Sequence, residues 1–352
     1  MCRYIRPEIL SMSGYVPGEQ PDPQDNVVKL NTNENPYRSS EKVYDAIRLV
    51  LESGLSRYPD PLALGFREAV SRRYGVDPSM VLCGNGSDDI LTILTRAFVG
   101  GGELLRLPYP TYILYRSLAE IQGAKSEFVY FNKDWSLPDE FYSGKADLRL
   151  VFLPNPNSPS GTTIPKKRIL EIAEQLPCPL VIDEAYVDFA EDSCIDLVGS
   201  CERIMVARSF SKSYSLAGLR FGYLVASTEL VAQMLKVKDS YNCDAISIAA
   251  ATAAISDEFW LTENRKKIIA TRNRLTNEMR AIGFNVPDSN ANFTWNTHSN
   301  IDVRLIYEYL KSRGVLVRYM NYPLWGDGLR ISVGTDDQID QCIKLIRQYV
   351  TP

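Results

Sequence analysis

Apolar and polar positions change rhythm along this chain, and the changes divide it into parts. Up to about Asn26 there is no period. YVPGEQPDPQDN is rich in Pro, Asp and Gly and reads as an irregular arm. VVKLN then predicts a short strand and NTNENP a loop. In EKVYDAIRLVLESG, the residues Val43, Ile47, Val50 and Leu51 recur at helical spacing, and Gly54 is placed to end the helix.

From residue 80 short apolar runs alternate with amphipathic stretches. MVLC, ELLRL, SEFVYF, LRLVFL, PLVID, RIMVA and FGYLVA predict strands, while DDILTILTRAF and KKRILEIAEQL predict helices. Near-continuous apolar strands separated by helices imply a mostly parallel sheet covered on both faces. After about residue 244 the texture changes. Long helical patterns over 244–282 precede a strand near NFTW, a helix in IDVRLIYEYLKSR, strands at VLVR and LRISV, and a final helix. The expectation is an α/β protein with a large domain over 27–243. A smaller α+β domain would combine the arm, 1–26, with 244–352.

Composition narrows the class. The chain has 352 residues, 45% of them hydrophobic, enough to bury the core of about two domains. Its 39 Lys and Arg face 43 Asp and Glu, a net charge of -4, so no broad field for nucleic acid or anionic lipid is expected. No apolar run suits a membrane span, and MCRYIRPEIL lacks the apolar centre of a signal peptide. The 7 cysteines form no CxxC and no zinc or disulfide spacing, which fits reduced thiols and a cytoplasmic enzyme. Histidine occurs once, as His298, which argues against a Ser-His-Asp triad and against a multi-histidine metal site.

In open α/β sheets ligands sit beyond the carboxyl ends of the strands, so the segments that follow strands carry the most information. Gly84-Asn85-Gly86-Ser87-Asp88-Asp89 follows MVLC and opens a helix. Glycines let backbone approach a ligand there, and free N–H groups at a helix start attract an anion. The same pattern suits an ordinary strand-to-helix turn with Ser87 as N-cap, and it lacks the third glycine of a dinucleotide fingerprint. The loop from Leu153 to Gly161, LPNPNSPSG, is stiffened by prolines and leaves Asn157 as a positioned polar group, or as part of a rigid turn.

PLVIDEAY puts Asp183 at the end of a buried apolar strand, where a carboxylate is costly unless paired. A protonated pyridine nitrogen would be such a partner, and so would a structural cation or a helix N-terminus. Tyr186, three residues on, can present a phenol to the same place. RSFSKSYSLAGLRFGY sets Lys212 among small hydroxylated residues directly after an apolar strand, a poor setting for a surface lysine. A free amine there needs its ordinary pKa of about 10.4 lowered, and a Schiff base meets that need. Arg220, eight residues later, can grip a phosphate with two donors.

FSKSYSLAGLRFGY, VIDEAY, NPNSPSG and GNGSDD, in this order and spacing, resemble the fold-type-I aminotransferases that depend on pyridoxal phosphate, and among them the histidinol-phosphate aminotransferase group. IRPEIL, YVPG, LNTNENPY, RYPD at 57–60, YPTY at 109–112, ANF at 291–293, VR at 317–318 and LRISVGT at 329–335 extend the resemblance over essentially the whole chain. It implies a transaminase in histidine biosynthesis that interconverts histidinol phosphate and 2-oxoglutarate with imidazole-acetol phosphate and glutamate. Threonine-phosphate decarboxylases and aromatic amino acid aminotransferases share the scaffold and are the alternatives.

The resemblance also implies roles. Lys212 would form the Schiff base and move the substrate proton, and Asp183 would keep the pyridine nitrogen protonated. Tyr186 and Asn157 would bond the cofactor's phenolic oxygen, and Tyr112 would stack on its ring. Gly86, Ser87, Asp88, Ser209, Ser211 and Arg220 would hold its phosphate. Tyr58 would reach that phosphate from the other subunit of a homodimer. Arg330 would hold a substrate carboxylate, Arg318 the substrate phosphate, and Tyr15 and Asn33 would line the substrate side. Ser158, Ser160 and Asp89 depart from the usual family residues, and the segment after ANF, TWNTHSN, is unusually polar.

Overall fold

The structure, a computed structural model, describes residues 4–22 and 26–350. Cys2 and positions 23–25 of the expected arm lie outside the described residues. The arm is not wholly irregular: α1 (Pro7–Ser11) is a short helix with Pro7 at its first position, where a missing N–H is harmless. β1 (Val28–Leu30) follows. α2 (Glu41–Ser53) starts where the Ser40 hydroxyl accepts from Lys42 N–H, and it ends at Gly54 with φ 87°. α3 (Leu64–Tyr74) then leads into the main sheet.

That sheet contains all seven runs expected as strands: β2 (Val81–Gly84), β3 (Leu104–Tyr109), β4 (Lys125–Tyr130), β5 (Leu148–Pro154), β6 (Leu180–Asp183), β7 (Ile204–Ser209) and β8 (Gly222–Val225). Their spatial order is β2-β8-β7-β6-β5-β3-β4. Only β8 runs antiparallel to its neighbours. Side chains alternate between faces, as the two-residue period of a strand requires. Val151, Leu153, Leu180, Ile182, Ile204 and Val206 pack on one side with α3, α6 (Lys166–Gln175) and α8 (Ala245–Ile255). Leu150, Phe152, Val181, Met205 and Leu224 pack on the other with α4 (Ser87–Phe98), α5 (Leu114–Gln122) and α7 (Thr228–Met234). Burial on both faces is what near-continuous apolar strands require.

A second sheet, in the order β1-β10-β11-β9, joins β1 to β9 (Phe293–Asn296), β10 (Val315–Tyr322) and β11 (Gly326–Ser332). α10 (Val303–Lys311), α11 (Asp336–Val350) and the C-terminal part of α9 (Glu258–Ala281) cover it through Ile306, Leu310, Ile339, Ile343, Leu275 and Met279.

Two placements differ from the expected division of the chain. The sequence pattern puts β1 at the start of the large domain, but β1 pairs in parallel with β10 of the smaller sheet, Val28 opposite Val315. α8 was expected in the small domain, but Ala250, Ala251 and Ala254 belong to the core under the large sheet, where small side chains let α8 pack closely on α2 and α3. α2 also presents less apolar surface inward than its spacing suggests. Val43 is buried and Ile47 packs on the core, whereas Leu49, Leu51 and Leu55 are exposed.

Candidate active site

The carboxyl ends of β3, β5, β6 and β7 open on a single cavity of about 530 Å³. Lys212, Asp183, Tyr186, Tyr112, Ser87, Asp88, Ser209, Ser211, Arg220, Tyr15, Asn33, Arg318 and Arg330 all line it. Gly86, Asn157 and Tyr58 do not line it. Gly86 supports it from behind, with φ 83°, a backbone state that residues other than glycine rarely adopt; a Cβ there would also lie 2.6 Å from an Arg220 guanidinium nitrogen and displace it. Gly222 on β8 has no room for a side chain, since its Cβ would lie 2.5 Å from the backbone nitrogen of Ser87. These two close approaches bring the N-terminus of α4 and Arg220 to one corner of the cavity, a cradle suited to an anion.

Arg220 itself has φ 51°, an uncommon backbone state for a non-glycine residue. Its guanidinium donates to Ser211 Oγ at 3.2 Å and to Asp88 Oδ2 at 3.0 Å. At the opposite end Asp183 is 5% exposed. Burial pushes its carboxyl up to about 6, against the Tyr115 hydroxyl and the Ala185 N–H, which both favour the charged form. The Tyr115 bond, 2.7 Å to Oδ2, was not foreseen. Its only trace in the sequence is a second tyrosine three residues after Tyr112, at the start of a helix.

Between these ends, Lys212 Nζ donates to the backbone carbonyl of Thr32 at 3.1 Å and stands 5.7 Å from the centre of the Tyr186 ring. Asn33, in left-handed backbone with φ 56°, donates from Nδ2 to the Tyr186 hydroxyl at 3.0 Å. It is tied to the smaller sheet through Ser332 Oγ and Asn292. The Asn157 amide donates to Pro110 O at 3.3 Å and Ser160 Oγ at 3.0 Å, while its Oδ1 is buried without a partner. The Tyr112 and Tyr15 rings meet edge-on at 6.1 Å, and burial pushes the Tyr112 phenol well above its ordinary range.

The smaller sheet contributes two arginines. Arg318 holds the arm through the carbonyls of Val16 and Pro17. Arg330 donates to Ser158 Oγ and to Asn31 O, and its Nε is buried without a partner. Ser158, one of the departures from the family pattern, therefore lies in the cavity against Arg330.

Beneath the loop of Lys212 lies a buried charge cluster that sequence reasoning also missed. Arg208 pairs with Glu184 and Asp188, and Asp188 accepts from Ser213 Oγ. The strand end that carries Asp183 is thereby tied to the loop that carries Lys212.

The polar segment after ANF lies elsewhere. Thr294 and Asn296 are buried, with Asn296 Nδ2 bonding Leu329 O and Thr294. His298 Nδ1 accepts from the N–H groups of Asn300 and Ile301. A larger groove of about 970 Å³, lined by Trp295, Thr297 and His298 of this polar segment, contains none of the residues expected to hold cofactor or substrate.

Tyr58 is 81% exposed and stacks on Tyr241 with 4.4 Å between ring centres. Among the described residues no cluster suits a metal ion, six cysteines are free, and no helix is long and apolar enough to cross a membrane.

The donor set fits pyridoxal phosphate: an anion cradle at one end, an underpartnered buried carboxylate at the other, and an amine between them. Comparison with known proteins agrees. The chain is 56% identical to histidinol-phosphate aminotransferase of Rhodopirellula baltica over 97% of its own length and 95% of that protein. It is 42% identical to the enzyme of the same name from Citrifermentans bemidjiense, over 98% of both chains. Its fold matches the crystal structure of histidinol-phosphate aminotransferase from Sinorhizobium meliloti in complex with pyridoxal-5'-phosphate, with TM-score 0.86, 24% identity and 99% of each chain covered. Residues 25–346 match the family model described as aminotransferase class I and II, and the chain is a member of that family.

Proposed function

We propose that this chain is a pyridoxal-phosphate-dependent histidinol-phosphate aminotransferase, transferring the amino group of histidinol phosphate to 2-oxoglutarate. The observation that carries this reading is the convergence of Lys212, Asp183 and Arg220 on one cavity that also receives Arg318 and Arg330. Relatives of the same name at 56% and 42% identity support the substrate. When bound, pyridoxal phosphate supplies an electron sink for negative charge at the substrate α-carbon.

The chain's residues do the rest. Arg220, Ser211, Ser209 and the N–H groups at the start of α4 bind the cofactor phosphate. Asp183 would hold a proton on the ring nitrogen, and Tyr112 would stack on the ring. Tyr186, steadied by Asn33, would donate to the phenolic oxygen, whereas Asn157 lies behind the cavity wall and would have to release Pro110 O or Ser160 Oγ to join it. The Lys212 amine holds the cofactor at rest and moves a proton to and from the substrate α-carbon. Arg318 receives the phosphate of histidinol phosphate and Arg330 the carboxylates of glutamate and 2-oxoglutarate. One cavity thus serves both half-reactions.

The active unit in this reading is a homodimer, with Tyr58 serving the partner's cofactor phosphate. The exposed Leu49, Leu51, Leu55, Leu62 and Leu64, which flank Tyr58 in sequence, support it, because exposed apolar side chains gathered in one stretch are suited to a subunit contact. The free cysteines suit the reducing cytoplasm.

The test is a panel of amino donors with 2-oxoglutarate, following glutamate. Histidinol phosphate should be the best donor. Good turnover of phenylalanine without turnover of histidinol phosphate would sink the substrate assignment, and release of carbon dioxide would point to a decarboxylase. Borohydride reduction should attach the cofactor to Lys212; attachment to another lysine would refute the cofactor geometry.

A further inference from the structure

Tyr115, on the first turn of α5, and Asp183, at the end of β6, form a buried pair across 68 positions of sequence. The phenol donates to Asp183 Oδ2 at 2.7 Å, and the Ala185 N–H donates to Oδ1 at 3.1 Å. Each oxygen of an ionised carboxylate can accept two hydrogen bonds, so each keeps one position open. Both residues face the cavity. The Tyr115 ring also meets Tyr112 edge-on at 5.6 Å and Phe152 at 5.1 Å, so the hydroxyl is fixed in direction. Burial and the neighbouring Asp183 charge push the ionisation of Tyr115 far above its ordinary range, and it stays a donor.

We propose that Tyr115 is a positioning residue for the cofactor: its hydroxyl orients the Asp183 carboxylate and keeps it ionised, so that the proton of the pair stays on the ring nitrogen. The inference rests on the reading that pyridoxal phosphate sits against Asp183. In a dry site a proton shared between a ring nitrogen and a carboxylate goes to the more basic partner. A phenol donating to the carboxylate makes that partner less basic. Without it the proton passes from the ring nitrogen to an Asp183 oxygen, and a charged pair becomes a neutral one with no other change in atoms. The ring then draws less charge from the substrate, and Asp183 holds it less tightly.

Tyr115→Phe keeps the ring and its contacts with Tyr112 and Phe152, and thermal melting checks the fold. Apoenzyme of wild type and variant is titrated by equilibrium dialysis with pyridoxal phosphate, and in parallel with an analogue that has carbon in place of the ring nitrogen. The variant should bind pyridoxal phosphate about tenfold more weakly, equivalent to about 1.4 kcal/mol, yet bind the carbon analogue as wild type does. In the holoenzyme, the pH midpoint of the visible band of the Lys212 Schiff base should rise, because the ring carries less positive charge. Tyr115→His, which keeps a ring and a donor, should restore most of the affinity and covers the case in which the phenylalanine variant does not fold. Equal affinity of wild type and Tyr115→Phe for pyridoxal phosphate would overturn the proposal. So would an equal loss for both ligands, which would mark a merely structural role. If wild type itself binds no pyridoxal phosphate, the cofactor reading fails and the proposal with it.

Discussion

Arg330 Nη1 donates to Ser158 Oγ at 3.0 Å, and this bond joins β11 of the smaller sheet to the loop after β5 of the larger one. The two residues are 172 positions apart. Because Ser158 is short, the guanidinium can reach it while its buried Nε stays unpaired. An arginine that lines the cavity and keeps an unpaired donor is suited to receiving an anion.

The two arginines should therefore separate by half-reaction. Arg330→Gln should weaken glutamate and 2-oxoglutarate by roughly 2 kcal/mol or more, about 30-fold in kcat/KM, and leave the half-reaction with histidinol phosphate nearly intact. Arg318→Gln should do the reverse, since histidinol phosphate has a phosphate and no carboxylate. Single-turnover kinetics of each half-reaction reads the split. Equal losses in both would show that the arginines do not divide the substrates.

Asp183 makes the stability of the apoenzyme depend on pH. Its folded carboxyl titrates at about 6, against about 3.9 for an unperturbed aspartate. Between these values the folded chain holds more protons than the unfolded one, so this group lowers stability as pH rises from about 4 to 6 and keeps it lowered above. Apo Asp183→Asn should therefore be more stable than apo wild type at pH 8, by at most roughly 3 kcal/mol, with the advantage vanishing near pH 4. The melting temperature gained on adding pyridoxal phosphate should shrink in the variant. Thermal melts at both pH values, with and without the cofactor, check both effects.

Arg208 is almost wholly buried between Glu184 and Asp188. Arg208→Met would strand two acidic groups, and breaking a buried pair in this way costs about 3–5 kcal/mol. Denaturant unfolding should show that loss, whereas Arg220→Ala, whose pair with Asp88 is half exposed, should change the stability of the apoenzyme by no more than about 1 kcal/mol. The contrast separates the charges that hold the loops in place from the one proposed to hold the cofactor phosphate.

The exposed leucines near Tyr58 give a fourth expectation. Leu55→Asp with Leu62→Asp should yield monomers in analytical ultracentrifugation and should weaken cofactor binding, because Tyr58 would no longer reach the partner's site. Monomers that keep full cofactor affinity would remove Tyr58 from the site.

Much of the molecule is legible in the one-dimensional pattern, for identifiable reasons. A strand buried on both faces must be apolar along its whole length, so LRLVFL, PLVID and RIMVA announce β5, β6 and β7. The residues that face the cavity lie just past those strand ends, and Lys212, Asp183 and Arg220 are marked by their immediate neighbours. Partners distant in sequence leave no such mark. β1 looks the same to its neighbours whether it opens the large sheet or pairs with β10, and only the pairing of Val28 with Val315 decides it. In the same way Asn296 reads as a surface residue until β9 is placed against β11, where Leu329 O accepts from it in the core.

Local sequence thus determined the strands and the helices that cover them, and pointed to Lys212 as the candidate cofactor lysine, because period and adjacency are local properties of the chain. Tertiary structure alone decided that Tyr115 holds Asp183, that Arg208 joins the Asp183 strand end to the Lys212 loop, and that Arg330 meets Ser158. Each is a hydrogen bond or ion pair between elements that only packing brings together, helix on sheet for Tyr115, loop on loop for Arg208 and sheet on sheet for Arg330, and its energy depends on burial that no short stretch of sequence can express.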